Sequence, residues 1–155
     1  DKLAVLGGEI IIDTLAKLEN GTALRTKQDH ELSSYAGMLS KDMGLIDFSK
    51  DADVLERLIR GLNPWPSAYT RIDNKLLKIY AAQVVSEEQS LDMIKTHENA
   101  DNILGMIIDV DKKSFTVKCG NGALRIMNLQ LEGKKRMDTA AFLLGYTLSV
   151  GNVLG

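Results

Sequence analysis

Apolar residues at Leu3, Leu6, Ile10, Leu15 and Leu18 recur at helical spacing, and Asn20-Gly21 supplies the left-handed stop such a helix needs, so the pattern predicts a helix over 2–19. From Thr22 to Asp47 no period persists, and Asp29, Ser33-Ser34, Gly37 and Gly44 interrupt the chain, which reads as an extended linker. Val54, Leu55, Leu58, Ile59 and Leu62 then form one stripe of a second helix over 52–62, with Ser49 or Asp51 placed to cap its start and Asn63-Pro64 to stop it. Beyond Pro66 the pattern shortens to runs rich in β-formers, at 67–72, 75–85, 103–110, 114–119 and 123–131. Asp73-Asn74, Asp111-Lys112 and Gly120-Asn121-Gly122 are hairpin-type connections, so neighbouring runs are expected to pair antiparallel. The fold class is therefore mainly β with flanking helices, an OB-like antiparallel β-barrel over 67–131. A last helix over 139–148, capped by Asp138 and ended by Gly151, is expected to close one side through Phe142, Leu143, Tyr146 and Leu148.

Two segments depart from this regular pattern. Residues 86–101 carry Glu87, Glu88, Asp92, Glu98 and Asp101 against a single Lys95, and read as a solvated, mobile loop with at most a helical turn. Asn63-Pro64-Trp65-Pro66 fixes φ at two positions around the only tryptophan. Trp65 is expected to be a largely buried anchor between the second helix and the first strand.

The 155 residues allow one full domain, or one small domain with a fragment of another, and the 45% hydrophobic content excludes a disordered chain. The formal net charge is only −2, but 7 of the 19 basic residues and just 3 of the 21 acidic ones fall in 111–155, so that part is locally basic. With 3 Phe, 4 Tyr and 1 Trp there are few rings for a platform built mainly on base stacking, and charge is the stronger handle. Cys119 is the only cysteine, which excludes an intrachain disulfide and an all-cysteine zinc site and fits a reducing, cytoplasmic setting. No apolar run approaches the ~18 residues of a membrane helix. Because the chain opens at Asp1 inside a helical pattern, it is expected to be a piece of a longer polypeptide.

The candidate chemistry is sparse. His30 and His97 fall in the linker and the acidic loop without a partnered nucleophile, so no catalytic and no metal-ligating residue is assigned. Cys119 reads as a small packed hydrophobe, and Gly120-Asn121-Gly122 lacks the lysine and following helix of a phosphate loop. Gly133-Lys134-Lys135-Arg136 is different, because three consecutive cations follow a glycine with no acid among them. Such a run alone is as much a solvated face as a site. Lys112, Lys113, Lys118 and Arg125 lie on neighbouring hairpin segments, and a barrel able to gather them would present phosphates with one basic surface, which favours RNA. Arg60 precedes Trp65 on the second helix and faces either the linker or an anionic ligand.

Gln28-Asp29 with Tyr35-Ala36, Leu39-Ser40-Lys41, Ile46-Asp47-Phe48-Ser49, Ile59 to Pro66 and Leu129 to Met137 form a series. In order and spacing it resembles the C-terminal half of bacterial methionyl-tRNA formyltransferases over nearly the whole chain. The resemblance implies transfer of a formyl group from the cosubstrate 10-formyltetrahydrofolate to methionine on initiator tRNA, for translation initiation. It implies that 1–21 is the last helix of a truncated Rossmann-like catalytic domain, 22–44 the interdomain linker and 45–155 an OB-like tRNA-binding domain. The family's catalytic Asn, His and Asp have no match here, so this chain alone is expected to be inactive, to hold no cofactor and to partner initiator methionyl-tRNA and the missing N-terminal domain. Lys41 matches the lysine of the linker motif near the tRNA acceptor end, while Met38 stands where many members have a second lysine. Lys41, Arg60, Lys112, Lys113, Lys118, Arg125, Lys134, Lys135 and Arg136 are thus the expected RNA-binding set. Sugar-nucleotide formyltransferases share the 46–66 pattern, so a sugar-acting enzyme stays open, as does a free-standing RNA-binding module.

Overall fold

The structure, a computed structural model, describes residues 2–97 and 102–155. The chain divides into two compact units, Asp1–Gly37 and Met38–Gly155. In the first, α1 spans Lys2–Glu19. Gly21, at φ +72°, lets Thr22 N–H donate to Lys17 O at 2.9 Å and satisfies a carbonyl the helix leaves free. The apolar positions of α1, among them Leu3, Ile10 and Leu15, are exposed. The segment that follows has no regular structure apart from a short 3-10 turn at His30–Leu32, which Asp29 caps.

The second unit begins with a 3-10 turn at Lys41–Gly44, then α2 over Ala52–Gly61 and strands β1 (Ala68–Ile72) and β2 (Lys75–Val85). After α3 (Glu87–Thr96) come β3 (Ile107–Val110), β4 (Phe115–Lys118), β5 (Ala123–Leu131), β6 (Met137–Asp138) and α4 (Thr139–Leu143). Every strand pairing is antiparallel, in the order β1-β2-β5-β4-β3, with β6 added to β5. Asp73 and Asn74 both adopt positive φ, the conformation a two-residue turn needs to match the twist of the β1–β2 hairpin. Inward residues Leu77, Ile79, Phe115, Val117, Leu124, Ile126 and Leu129 bury completely against Leu55 and Ile59 of α2. At about 1.5–3 kcal/mol per buried aliphatic or phenyl side chain, this cluster is the main source of the unit's stability.

β1 and β3 do not pair with each other. The C-terminal segment lies across that gap: Gly151 and Leu154 N–H donate to Ile107 O and Gly105 O at 2.9 and 2.8 Å, and Gly155 N–H donates to Arg71 O at 3.1 Å. Leu154 buries in the core. The sheet is thus an open, OB-like one whose β1–β3 gap is spanned by the tail, while Phe142, Leu143, Tyr146 and Leu148 of the segment expected as a helix over 139–148 do pack on its core. That helix is shorter than the apolar spacing suggests. α4 ends at Leu143, because Gly145 follows and because the Tyr146 hydroxyl is held by the Asp73 carboxylate of the β1–β2 turn. Phe142 enters the core and stacks on Tyr146 with ring centroids 4.7 Å apart. Asp138 precedes α4 without capping it, since its carboxylate accepts from Asn128 Nδ2 instead.

The acidic segment is likewise corrected. Residues 87–96 form a helix, begun by a reciprocal pair of 3.3 Å hydrogen bonds between Ser86 and Gln89. Met93 and Ile94 pack on Val85, Ile108 and Ala123, while Glu88 and Asp92 are exposed and Glu87 turns in toward the sheet. Glu98 and Asp101 lie outside the described residues.

Candidate nucleic-acid interface

Side chains alternate across a strand, so packing Leu77 and Ile79 inward turns Lys78 and Tyr80 of β2 outward. Pairing then aligns Tyr69 of β1, Lys78 of β2 and Gln130 of β5 in one row on the outer face. The Tyr80 hydroxyl donates to Gln130 Oε1 at 2.9 Å, and Gln130 Nε2 donates to Lys134 O at 2.9 Å. Gly133 turns the chain at φ +75°, and Lys134, Lys135 and Arg136 emerge exposed beside this row. Arg136 lies over the Tyr80 ring at 4.3 Å, while its Nε donates to Asn128 Oδ1. The ring and the amide hold the guanidinium of an exposed residue in place, an arrangement suited to a phosphate.

The loop 62–67 borders this face. Asn63 Nδ2 donates to Tyr80 O at 3.2 Å, Ser67 Oγ to Pro64 O at 2.7 Å and Ser67 N–H to Leu62 O at 2.9 Å. Both X-Pro bonds in the loop, Asn63-Pro64 and Trp65-Pro66, are cis. On the loop's other side Gly44 approaches so closely that a Cβ there would stand 2.3 Å from Ser67 O. This contact seats the Lys41–Gly44 turn, and with it exposed Lys41, against the loop and Tyr69. Trp65 itself is 57% exposed. The expected core anchor is a surface ring, because Pro66 and Leu62 take the buried positions on either side of it.

The other predicted cations lie on other elements, and one of them is buried. Lys118 is 1% exposed and its ammonium lies 2.7 Å from Glu87 Oε2 and 3.3 Å from Gly122 O, so it is engaged inside the fold. All four residues of β4 are buried, and α3 packs on the neighbouring strand β3. Arg125 stands in a groove beside α3 with Gln83, Gln89 and Asp92. Lys112 and Lys113 occupy the β3–β4 turn, with Lys112 on a cleft shared with Leu143 and Tyr146 of the α4 end. Asp111 organises that turn. Burial acts to raise its pKa, but the amides of Lys113 and Ser114, the Ser114 hydroxyl and the Arg125 charge outweigh it and hold the carboxyl below its ordinary value. Arg60 is exposed and meets Glu56 at 3.2 Å one helical turn away, a contact worth only about 0.3–0.5 kcal/mol.

The sequence reading does not single out Lys78, Tyr80 or Tyr69; the alternation of Leu77 and Ile79 with Lys78 and Tyr80 carries the signal for the first two, and Tyr69 joins them through strand register. Burial pushes the Cys119 thiol up to about 12, so it stays protonated near neutrality and is no nucleophile. His97 Nε2 lies 3.5 Å from Asp109 Oδ1, and His30 is exposed.

Comparison with known proteins adds the following. The pattern of a family described as formyl transferase, C-terminal domain, matches residues 38–147. Proteins named methionyl-tRNA formyltransferase from Lachnospira eligens, Geobacter metallireducens and Agathobacter rectalis are 46%, 43% and 40% identical over 155, 155 and 152 residues. These alignments cover 98–100% of this chain but 46–47% of each relative, so the chain spans about half the length of the curated relatives it matches. Among solved structures, a HypX variant from Aquifex aeolicus superposes with a TM-score of 0.60 at 15% identity, over 91% of this chain and 24% of HypX. HypX in complex with tetrahydrofolic acid superposes with a TM-score of 0.59 at 16% identity, over 87% of this chain and 22% of HypX. At this identity the likeness is one of fold.

Proposed function

The chain belongs to the formyl transferase C-terminal domain family, and on that premise we propose that it is the tRNA-holding part of a methionyl-tRNA formyltransferase. The complete protein then transfers the formyl group of 10-formyltetrahydrofolate to the α-amino group of methionine on initiator tRNA, in the cytoplasm. The observation that carries this reading is that 43–46% identity to proteins of that name runs the full length of the chain. Residues 1–21 are assigned to the end of the catalytic domain, 22–44 to the linker and 45–155 to the tRNA-binding domain.

In this reading the chain itself contributes no catalytic residue. The cleft beside α4 and the groove beside α3 are open and lined without a histidine, a poor fit to a folate-dependent formyl transfer site. The formyl donor is therefore assigned to the part of the protein outside this chain. What the chain supplies is position: Lys78, Lys134, Lys135 and Arg136 grip phosphates, and Lys41 sits where the linker meets that face. Holding the acceptor stem in place converts binding energy into alignment of the reacting amine.

The test is an assay of the complete polypeptide with 10-formyltetrahydrofolate and either methionyl-initiator tRNA or an amino-sugar nucleotide. Formylation of the tRNA alone supports the reading, and formylation of the sugar moves the assignment to a sugar-nucleotide enzyme. Tight tRNA binding by this chain with no formylation by the complete protein moves it to an RNA-binding module. In the formylating enzyme, deleting residues 45–155 is expected to raise KM more than it lowers kcat.

A further inference from the structure

Trp65 is a large apolar ring held in solvent by a loop that is tied down on both flanks. Its 57% exposure gives up packing that a ring of this size would normally seek. Yet the loop around it is tightly specified: Asn63 is bonded to Tyr80 O, Ser67 to Pro64 O and Leu62 O, and the backbone of Ser67 abuts Gly44. Ser67 also adopts φ +73°, a left-handed conformation that costs a non-glycine residue about 1 kcal/mol or more. A ring that needed no partner would not require a loop this constrained. The ordering entropy is already lost before anything binds, which favours a partner that stacks on a flat surface.

The surroundings select the partner's chemistry. On one flank Tyr80 lies under the Arg136 guanidinium at 4.3 Å. On the other, Gly44 closes the turn that begins at exposed Lys41. Cations beside an exposed indole match a polyanion whose units carry π faces, and a single-stranded nucleic acid has that composition. Continuous duplex does not, since its bases are stacked on each other.

We infer that Trp65 is a preorganised stacking platform for an unpaired base of the bound RNA, with Lys41 and Arg136 holding phosphates on either side. This rests on the RNA-binding reading above and adds to it a specific contact. The base could come from the unpaired 3′ end of the tRNA or from a nucleotide displaced from a loop, and the two are distinguished by trimming.

Because Trp65 is the only tryptophan, its fluorescence reports the contact directly. The 155-residue chain is titrated with deacylated initiator tRNA, and with the same tRNA stripped of its unpaired 3′ nucleotides, following fluorescence and, in parallel, filter retention. Quenching with intact tRNA is expected, together with a loss of affinity of roughly 5- to 100-fold in Trp65→Ala and partial retention in Trp65→Phe. Far-UV circular dichroism checks that the variants keep the fold. Loss of quenching on trimming assigns the base to the 3′ end, and retained quenching assigns it to an internal unpaired nucleotide. RNA retention with unchanged fluorescence, or with unchanged affinity in Trp65→Ala, overturns the stacking contact and leaves the RNA-binding reading standing. No retention of tRNA by the wild-type chain overturns both.

Discussion

Lys118 Nζ lies 2.7 Å from Glu87 Oε2, joining β4 to the first turn of α3 across 31 residues of sequence. The same carboxylate oxygen accepts the Gly122 amide, and the ammonium also donates to Gly122 O. One ion pair thereby fastens α3 to the β4–β5 turn. Removing the cation leaves a carboxylate that can still reach water on its exposed side, so the loss falls below that of a wholly buried pair. Lys118→Met is expected to destabilise by about 2 kcal/mol in urea unfolding while leaving the salt dependence of tRNA binding unchanged. A flatter salt slope in this variant would return Lys118 to the RNA-contacting set.

Glu87 and Tyr146 each make stability depend on pH. The hydrogen bond from Lys118, then that from the Gly122 amide, hold the Glu87 carboxyl below its ordinary value. With the folded pKa depressed, the stabilisation is complete above the unfolded carboxylate pKa of about 4.3 and is lost as pH falls through the folded value. At the other end, donation to Asp73 and then burial push the Tyr146 phenol up to about 12. That contribution is complete below the unfolded value of about 10 and is lost as pH rises toward 12. Urea midpoints measured against pH are expected to show a shallower acid limb in Glu87→Gln and a shallower alkaline limb in Tyr146→Phe. Limbs superimposable on those of the parent chain would contradict both couplings.

Trp65 separates stability from binding. With more than half of its surface in solvent, truncation removes little buried area, so Trp65→Ala is expected to cost under about 1 kcal/mol of unfolding free energy. A loss of 3–5 kcal/mol, the ordinary cost of truncating a buried aromatic, would mean the ring packs in the core after all.

These residues also show what a single sequence makes legible. β1, β2, β4 and β5 were readable because Asp73-Asn74 and Gly120-Asn121-Gly122 are turns by local chemistry, and α2 because Leu55 and Ile59 share a stripe, whereas β3 is shorter than its apolar run and two-residue β6 had no pattern of its own. α3 was hidden by its acids, although Ser86 and Gln89 carry a start signal at the right spacing. The burial of Lys118 had no local signature, since its partner lies far away in sequence and is brought there only by the helix. The two prolines announced a stiff loop around Trp65, but stiffness alone does not say whether the ring points inward or outward. Likewise Lys134 to Arg136 were visible as a run, whereas Lys78 joins them only through strand register.

The proposed grip of the outer face of β2 and β5 on tRNA phosphates shows itself in the salt slope of binding. Filter binding of initiator and elongator tRNA is measured over several salt concentrations with the parent chain and the Lys134→Ala, Lys135→Ala double variant. Each lost phosphate contact flattens the slope of log affinity against log salt by about 0.9 at most. In the double variant the slope is expected to be flatter by up to about 2 units and affinity lowered by similar factors for the two tRNAs, because backbone contacts do not read sequence. An unchanged slope in the double variant would contradict that grip.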